Sequence, residues 1–556
     1  MYGKSGPRGP WTLANQTSRS NKMDIIDQVR DHSQRLRHWG TAILLKWVIG
    51  PAFLGWFIAG LAAMWGLPNL GSALGWLTFL GIEGWLIRRT WLKRQGGAAP
   101  ADDLPNVHSH VALGTFMQRP AFQAEPWLAL AREHQAVFVG LSWRQGKGKK
   151  EPAKVRDVPI SITPDQQKKN HMAIIGASGT GKTVITTSLL VQAMQTGDAC
   201  VIIDPKNDEF APGILFREAQ KLNRPFVFID LRKDIPQINV FQGCTRAEAE
   251  VLINTALQLE NSGDPAVDFY RGEDRDACAT LLDNLTSEQF NLRSMVSIGA
   301  DIDEVTGRQN FWRALKDMAR LGAFDTQGGP DLADIIERGG LVYVIGSVDD
   351  LRVQAAQKML LTRVVQIIKN RDRNGARHVH LFLDEFKYSL GQTSLRALGT
   401  IRDQRATVYL AFQSYGDLHD SGSLPAKAVL GAAKGNTSLK LVFRLEDDET
   451  AKELSSLSGK YAVELETTGK TTTADGLEQG QYFRQLRENV TPDMLSTAMP
   501  KPASAADAPV FWMFGNGAPV LLAAGYMTPG KTPGIMPAPA VVRENKADPT
   551  KAQSLI

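Results

Sequence analysis

The octapeptide Gly176-Ala177-Ser178-Gly179-Thr180-Gly181-Lys182-Thr183 satisfies the pattern G-x-x-x-x-G-K-[ST] at every fixed position. Such a loop works only where a buried strand turns sharply into a helix, so it constrains the fold more than any other feature. The apolar run MAIIG (172–176) precedes it and the helix-compatible VITTSLLVQAMQ follows it. The glycines let backbone N–H groups close around phosphate oxygens, and the helix N-terminus adds favourable potential for an anion. Lys182 supplies a point charge for the β- and γ-phosphates, and Thr183 supplies a hydroxyl ligand for Mg²⁺. The expected ligands are therefore ATP and Mg²⁺. A Gly-rich turn without a ligand is the alternative, and the flanking strand and helix argue against it.

Around this loop, short apolar runs alternate with helical stretches. The runs are MAIIG, ACVIID (199–204), FVFID (226–230), LVYVIG (341–346), VHLFLDEF (379–386), TVYLAFQ (407–413) and LKLVFRL (439–445). Several are continuously apolar and rich in Val and Ile, as in strands buried on both faces of a mostly parallel sheet. The pattern predicts an α/β domain with helices on both faces. Residues 245–336 carry few strand signals and several amphipathic stretches, which predicts an all-α subdomain inserted into the sheet domain.

A phosphate loop of this kind needs an acid to complete the magnesium shell. Asp384 ends an apolar run and is the candidate metal ligand, binding through water; Glu385 follows directly and would polarise the attacking water. Asp204 also ends a strand, but no second acid directly follows it. Gln413 ends the next run, where it would either touch the γ-phosphate or simply cap the strand. Arg402 and Arg405 lie between these two runs and Arg444 lies after the last; each could supply a guanidinium to phosphoryl transfer or be an ordinary surface residue.

Near the N-terminus, residues 47–67 are without charge, and residues 70–87 are equally apolar except for Glu83. Each is near the roughly 20 residues of one bilayer crossing, and the two-residue break between them predicts a tight transmembrane hairpin. Residues 1–100 hold 12 Lys/Arg against 4 acids, so the remaining 456 carry −3 of the overall +5. The basic flanks place both termini on the cytoplasmic side. Three cysteines supply no disulfide framework. Any nucleic-acid site in the body must be a local patch, such as the basic cluster Arg144–Lys150, which reads equally well as a solvated loop.

The expected organisation is a basic segment (1–40), a transmembrane hairpin (41–94) and a linker with the start of the soluble domain (95–165). A nucleotide-binding domain (166–244 and 337–500), interrupted by the all-α subdomain (245–336), and a largely disordered Pro/Ala-rich tail (501–556), with a short last hairpin at 510–525 and disorder beyond about 528, complete it.

The order hairpin, GASGTGKT, VIIDPKNDEF, helical insertion, LFLDEF and AFQS resembles the coupling proteins of conjugative type IV secretion systems (the TraG/TraD family). These are relatives of the hexameric chromosome-partition DNA translocases. The resemblance spans roughly residues 40–450. It implies a RecA-like P-loop ATPase with an inserted all-α domain, an inner-membrane anchor and a homo-hexamer. It also implies recruitment of a relaxase-bound DNA strand to the secretion channel, with ATP-driven transfer. By motif, Lys182 and Thr183 match the family's phosphate-loop pair, Asp384 and Glu385 its Walker B pair and Gln413 its strand-tip glutamine. Arg402 lies at about the spacing of the intersubunit arginine. Two features depart from the family: almost nothing separates the two apolar segments, and the tail is not clearly acidic. The alternatives are a nucleotide-switched receptor that does not itself pump DNA, and a protein-exporting ATPase of the same apparatus.

Overall fold

The computed structural model describes residues 119–144, 156–419, 424–472 and 478–539, all within the larger of two compact units. The expected transmembrane hairpin and most of the basic cluster lie outside the described residues. Among the described residues, no helix is long and apolar enough to cross a membrane.

One sheet of eleven strands organises the domain. In chain order its strands are β1 (Val137–Arg144), β2 (Arg156–Ile162), β3 (His171–Ile175), β4 (Ala199–Asp204), β5 (Phe226–Asp230), β6 (Leu341–Ile345), β7 (Val379–Leu383), β8 (Ala406–Phe412) and β9 (Thr437–Val442). A separate ribbon pairs β10 (Lys460–Thr472) with β11 (Glu478–Glu488), and β12 (Val510–Phe514) and β13 (Val520–Ala523) return to the main sheet. The spatial order is β2-β1-β13-β12-β9-β3-β8-β7-β4-β6-β5. The seven strands from β9 to β5 are parallel, and they are the seven apolar runs of the sequence. The four from β2 to β12 extend the sheet with antiparallel pairs.

The parallel strands are apolar at successive positions because both faces are covered. Ala173, Ile175, Val201, Ile203, Val342, Val344, Leu381 and Leu383 pack into one core cluster. Their neighbours Met172, Ile174, Cys200, Ile202, Leu341, Tyr343 and Phe382 pack into the other, with the helices Lys182–Gln195 and Ala211–Lys221. Side chains alternate across a strand, so each run feeds two cores.

Only helices lie between β5 and β6 among the described residues. The longer ones are Arg246–Ala256, Pro265–Asp283, Leu292–Gly299 and Gln309–Met318. Thr245 opens the first with a capping box to Glu248, and the Asp264 carboxylate caps the second.

β12 and β13 form the short hairpin expected at 510–525 and bury Val510, Phe511, Met513 and Leu522 in the sheet. The stretch after them, to residue 539, corrects the expectation of disorder. Beyond them, the carbonyls of Thr528 and Pro529 accept from Arg217, and the Pro539 carbonyl accepts from Thr326 Oγ1 at 2.6 Å. A Pro-rich segment has few N–H groups to satisfy but keeps its carbonyls, and side-chain donors hold those carbonyls in place here.

Candidate nucleotide site

The carboxyl ends of the parallel strands share one edge, the usual ligand edge of such sheets. β3 leaves it through the loop 176–181 into the helix Lys182–Gln195. The loop is held from both sides: Gly176 N donates to Phe412 O at the tip of β8, and Ala177 N donates to Arg444 O just past β9. Gly181 has φ 99° and packs so closely that a Cβ there would lie 2.3 Å from Pro509 Cβ. The segment leading into β12 therefore forms one wall of the loop, and the Lys501 side chain reaches beside Gly179. Neither Pro509 nor Lys501 stood out in the sequence.

Lys182 is buried, and its ammonium donates to Gly176 O at 2.5 Å and Ala177 O at 3.2 Å. Burial lowers its pKa; the charges of Glu385 and Asp384 act in the opposite direction. Thr183 and Asp384 line one narrow cavity beneath the loop, together with Asp204 and Tyr343. A hydroxyl and a carboxylate are hard oxygen donors, a set that suits Mg²⁺ completing its shell with phosphate and water.

β8 separates β3 from β7, so Asp384 and Glu385 face the loop across one intervening strand tip. Burial pushes the Asp384 carboxyl up to about 7, aided by the charges of Asp204 and Glu385 and opposed by Lys182 and Lys206. Glu385 is 1% exposed and holds a left-handed backbone at φ 40°, ψ 54°. A non-glycine residue in that region costs of order 1–3 kcal/mol and is typical of functional turns. Glu385 Oε1 accepts from Lys206 Nζ at 2.5 Å and from Gln413 Nε2 at 3.3 Å. The structure thus brings Lys182, Thr183, Asp384, Glu385 and Gln413 to one edge.

Asp204 has another task. Its carboxylate accepts the backbone N–H groups of Lys206, Asn207 and Asp208 at 2.9, 2.8 and 2.7 Å, and the Tyr343 hydroxyl donates to it at 2.7 Å. It shapes the loop after β4.

Arg402 and Arg405 precede β8 and so sit at the opposite edge of the sheet, separated from the nucleotide edge by a seven-residue strand, about 20 Å. Arg405 donates to Ala376 O at 2.8 Å. Arg402 is exposed and lines a polar cavity of about 810 Å³ with Lys168, Lys169 and Arg377. It does not reach Lys182 of its own chain. Arg444 does lie beside the loop, where it donates to Met499 O at 3.2 Å.

The raised Asp384 pKa carries a stability prediction. Its protonated form favours folding, an advantage complete below about pH 4 and lost as pH rises through about 7. Asp384→Asn should therefore raise the melting temperature of metal-free protein at pH 8 and change it much less at pH 4. Thermal unfolding at both pH values checks this.

Residues 330–509 match the family described as "Type IV secretory system Conjugative DNA transfer", and residues 154–219 match "Type IV secretion-system coupling protein DNA-binding domain". Over these two stretches the chain is similar to the type IV secretion-system coupling proteins. It is also 29% identical over 430 residues to Mobilization protein A of Escherichia coli, covering 73% of this chain and 75% of that protein. Among solved structures it is similar to the unbound bacterial conjugative coupling protein TrwBdeltaN70, with a TM-score of 0.50 and 16% identity over 68% of this chain and 89% of that one. The coupling-protein matches take in the loop 176–183, Asp384, Glu385, Arg402 and Gln413.

Proposed function

We propose that this coupling protein is an ATPase that recruits relaxase-bound DNA to a type IV secretion channel and drives its conjugative transfer. One observation carries the reading: the phosphate loop, a hydroxyl–carboxylate pair for Mg²⁺ and a buried, strained glutamate with a glutamine on it meet at one sheet edge.

The chemistry follows from these groups. The loop amides and Lys182 bind the triphosphate, and Thr183 with Asp384 would hold Mg²⁺, which neutralises charge on the phosphates when bound. Glu385 accepts the proton of the attacking water, and Gln413 holds the carboxylate's aim. Arg402, at the far edge, serves the site of a neighbouring copy in a homo-hexamer; a ring in which the far edge of one copy meets the nucleotide edge of the next gives that arginine a substrate. The apolar segments 47–87 anchor the ring in the inner membrane, with the bulk of the chain in the cytoplasm.

The test is phosphate release by the purified full chain in detergent, with and without added DNA. Turnover that rises several-fold with DNA is expected. Protein that releases no phosphate under either condition refutes the reading.

A further inference from the structure

Lys206 has no role so far, yet its ammonium sits on the hydrolytic glutamate at 2.5 Å. The pairing is uneven. Glu385 is fixed at a strand tip and its side chain is 2% exposed, whereas the Lys206 side chain is 38% exposed and belongs to the loop after β4. The backbone under Lys206 is held rigidly by the Asp204 carboxylate, with Asn207 at φ 60° completing the turn. A fixed backbone with a long, four-carbon stem can swing its ammonium between acceptors without moving the loop.

One acceptor is in place, Glu385, and a terminal phosphate held by Lys182 would be a second. The charge of Lys206 is felt at Lys182, whose pKa, lowered chiefly by burial, is lowered further by it; it also pulls down on Asp384. The lysine is therefore close enough to act on Lys182 and Asp384 as well as on Glu385, which it contacts directly. A γ-phosphate offers more charge and three acceptor oxygens, against a single carboxylate shared with Gln413.

We propose that Lys206 is a second phosphate-binding lysine, which exchanges the Glu385 carboxylate for the terminal phosphate and so frees Glu385 for water only when a triphosphate is in place. The inference rests on the ATPase reading and adds a discrimination between tri- and diphosphate. Gln413 remains on Glu385 when the lysine leaves, keeping the carboxylate aimed.

The test titrates AMP-PNP and ADP, with Mg²⁺, into the full chain as wild type, Lys206→Ala, Lys206→Arg, Glu385→Gln and the Lys206→Ala/Glu385→Gln double variant. Lys206→Ala should bind AMP-PNP about tenfold more weakly, with ADP affinity unchanged, and Lys206→Arg should recover most of the loss. Glu385→Gln should bind AMP-PNP more tightly than wild type, because the lysine has lost its competing carboxylate; that gain should vanish in the double variant. An unchanged AMP-PNP to ADP ratio in Lys206→Ala, a parallel loss of both nucleotides, or a gain that survives in the double variant overturns the exchange. Wild type that binds neither nucleotide overturns the ATPase reading itself.

Discussion

Lys182→Ala should abolish phosphate release and weaken triphosphate binding by on the order of a hundred- to ten-thousandfold, since each charge-assisted contact to a phosphate is worth about 1.5–3 kcal/mol. The ammonium is buried over the loop, bonded to two loop carbonyls, and sits close enough to Asp384 and Glu385 for their charges to raise its pKa against burial. Its removal deletes the main cation for the β- and γ-phosphates. It also leaves the carboxylates of Asp204, Asp384 and Glu385 with Lys206 as the remaining lysine among them. Binding titrations and turnover should fail together. Turnover at the wild-type rate would remove the site from the chemistry.

Glu385→Gln should separate the two. The amide keeps the size of the side chain but cannot take a proton from water, and general-base catalysis is typically worth about 10²–10⁴-fold. Turnover should fall by that order while Mg²⁺-nucleotide remains bound, because the Lys182 ammonium is held by the Gly176 and Ala177 carbonyls and not by a hydrogen bond to Glu385. Single-turnover phosphate release beside equilibrium binding reads both quantities. Loss of binding in this variant would make Glu385 a structural member of the turn rather than the base.

The parallel half of the fold was legible because burial on both faces demands uninterrupted apolar runs, and all seven runs became the seven parallel strands. β1 and β2 were not. Gly140 interrupts one and Pro159 the other, and β1 reaches the rest of the sheet through β13, nearly four hundred residues downstream. The phosphate-loop pattern and the Asp384-Glu385 pair stood out because phosphate chemistry dictates residue types over a few consecutive positions. The Lys206–Glu385 pair was hidden because its members lie 179 positions apart and meet only through the β4–β7 pairing. The stretch after β13 misled because proline and alanine content reports the absence of a self-sufficient core, while residues such as Met527 borrow an existing one.

The wall that Pro509 forms against Gly181 has a consequence for synthesis. The glycine loop leaves the ribosome more than three hundred residues before the strands that brace it, and β1 waits longer still for β13. A nascent or prematurely terminated chain therefore carries the phosphate motif without its brace. The complete nucleotide pocket belongs only to a polypeptide already extended past Pro509.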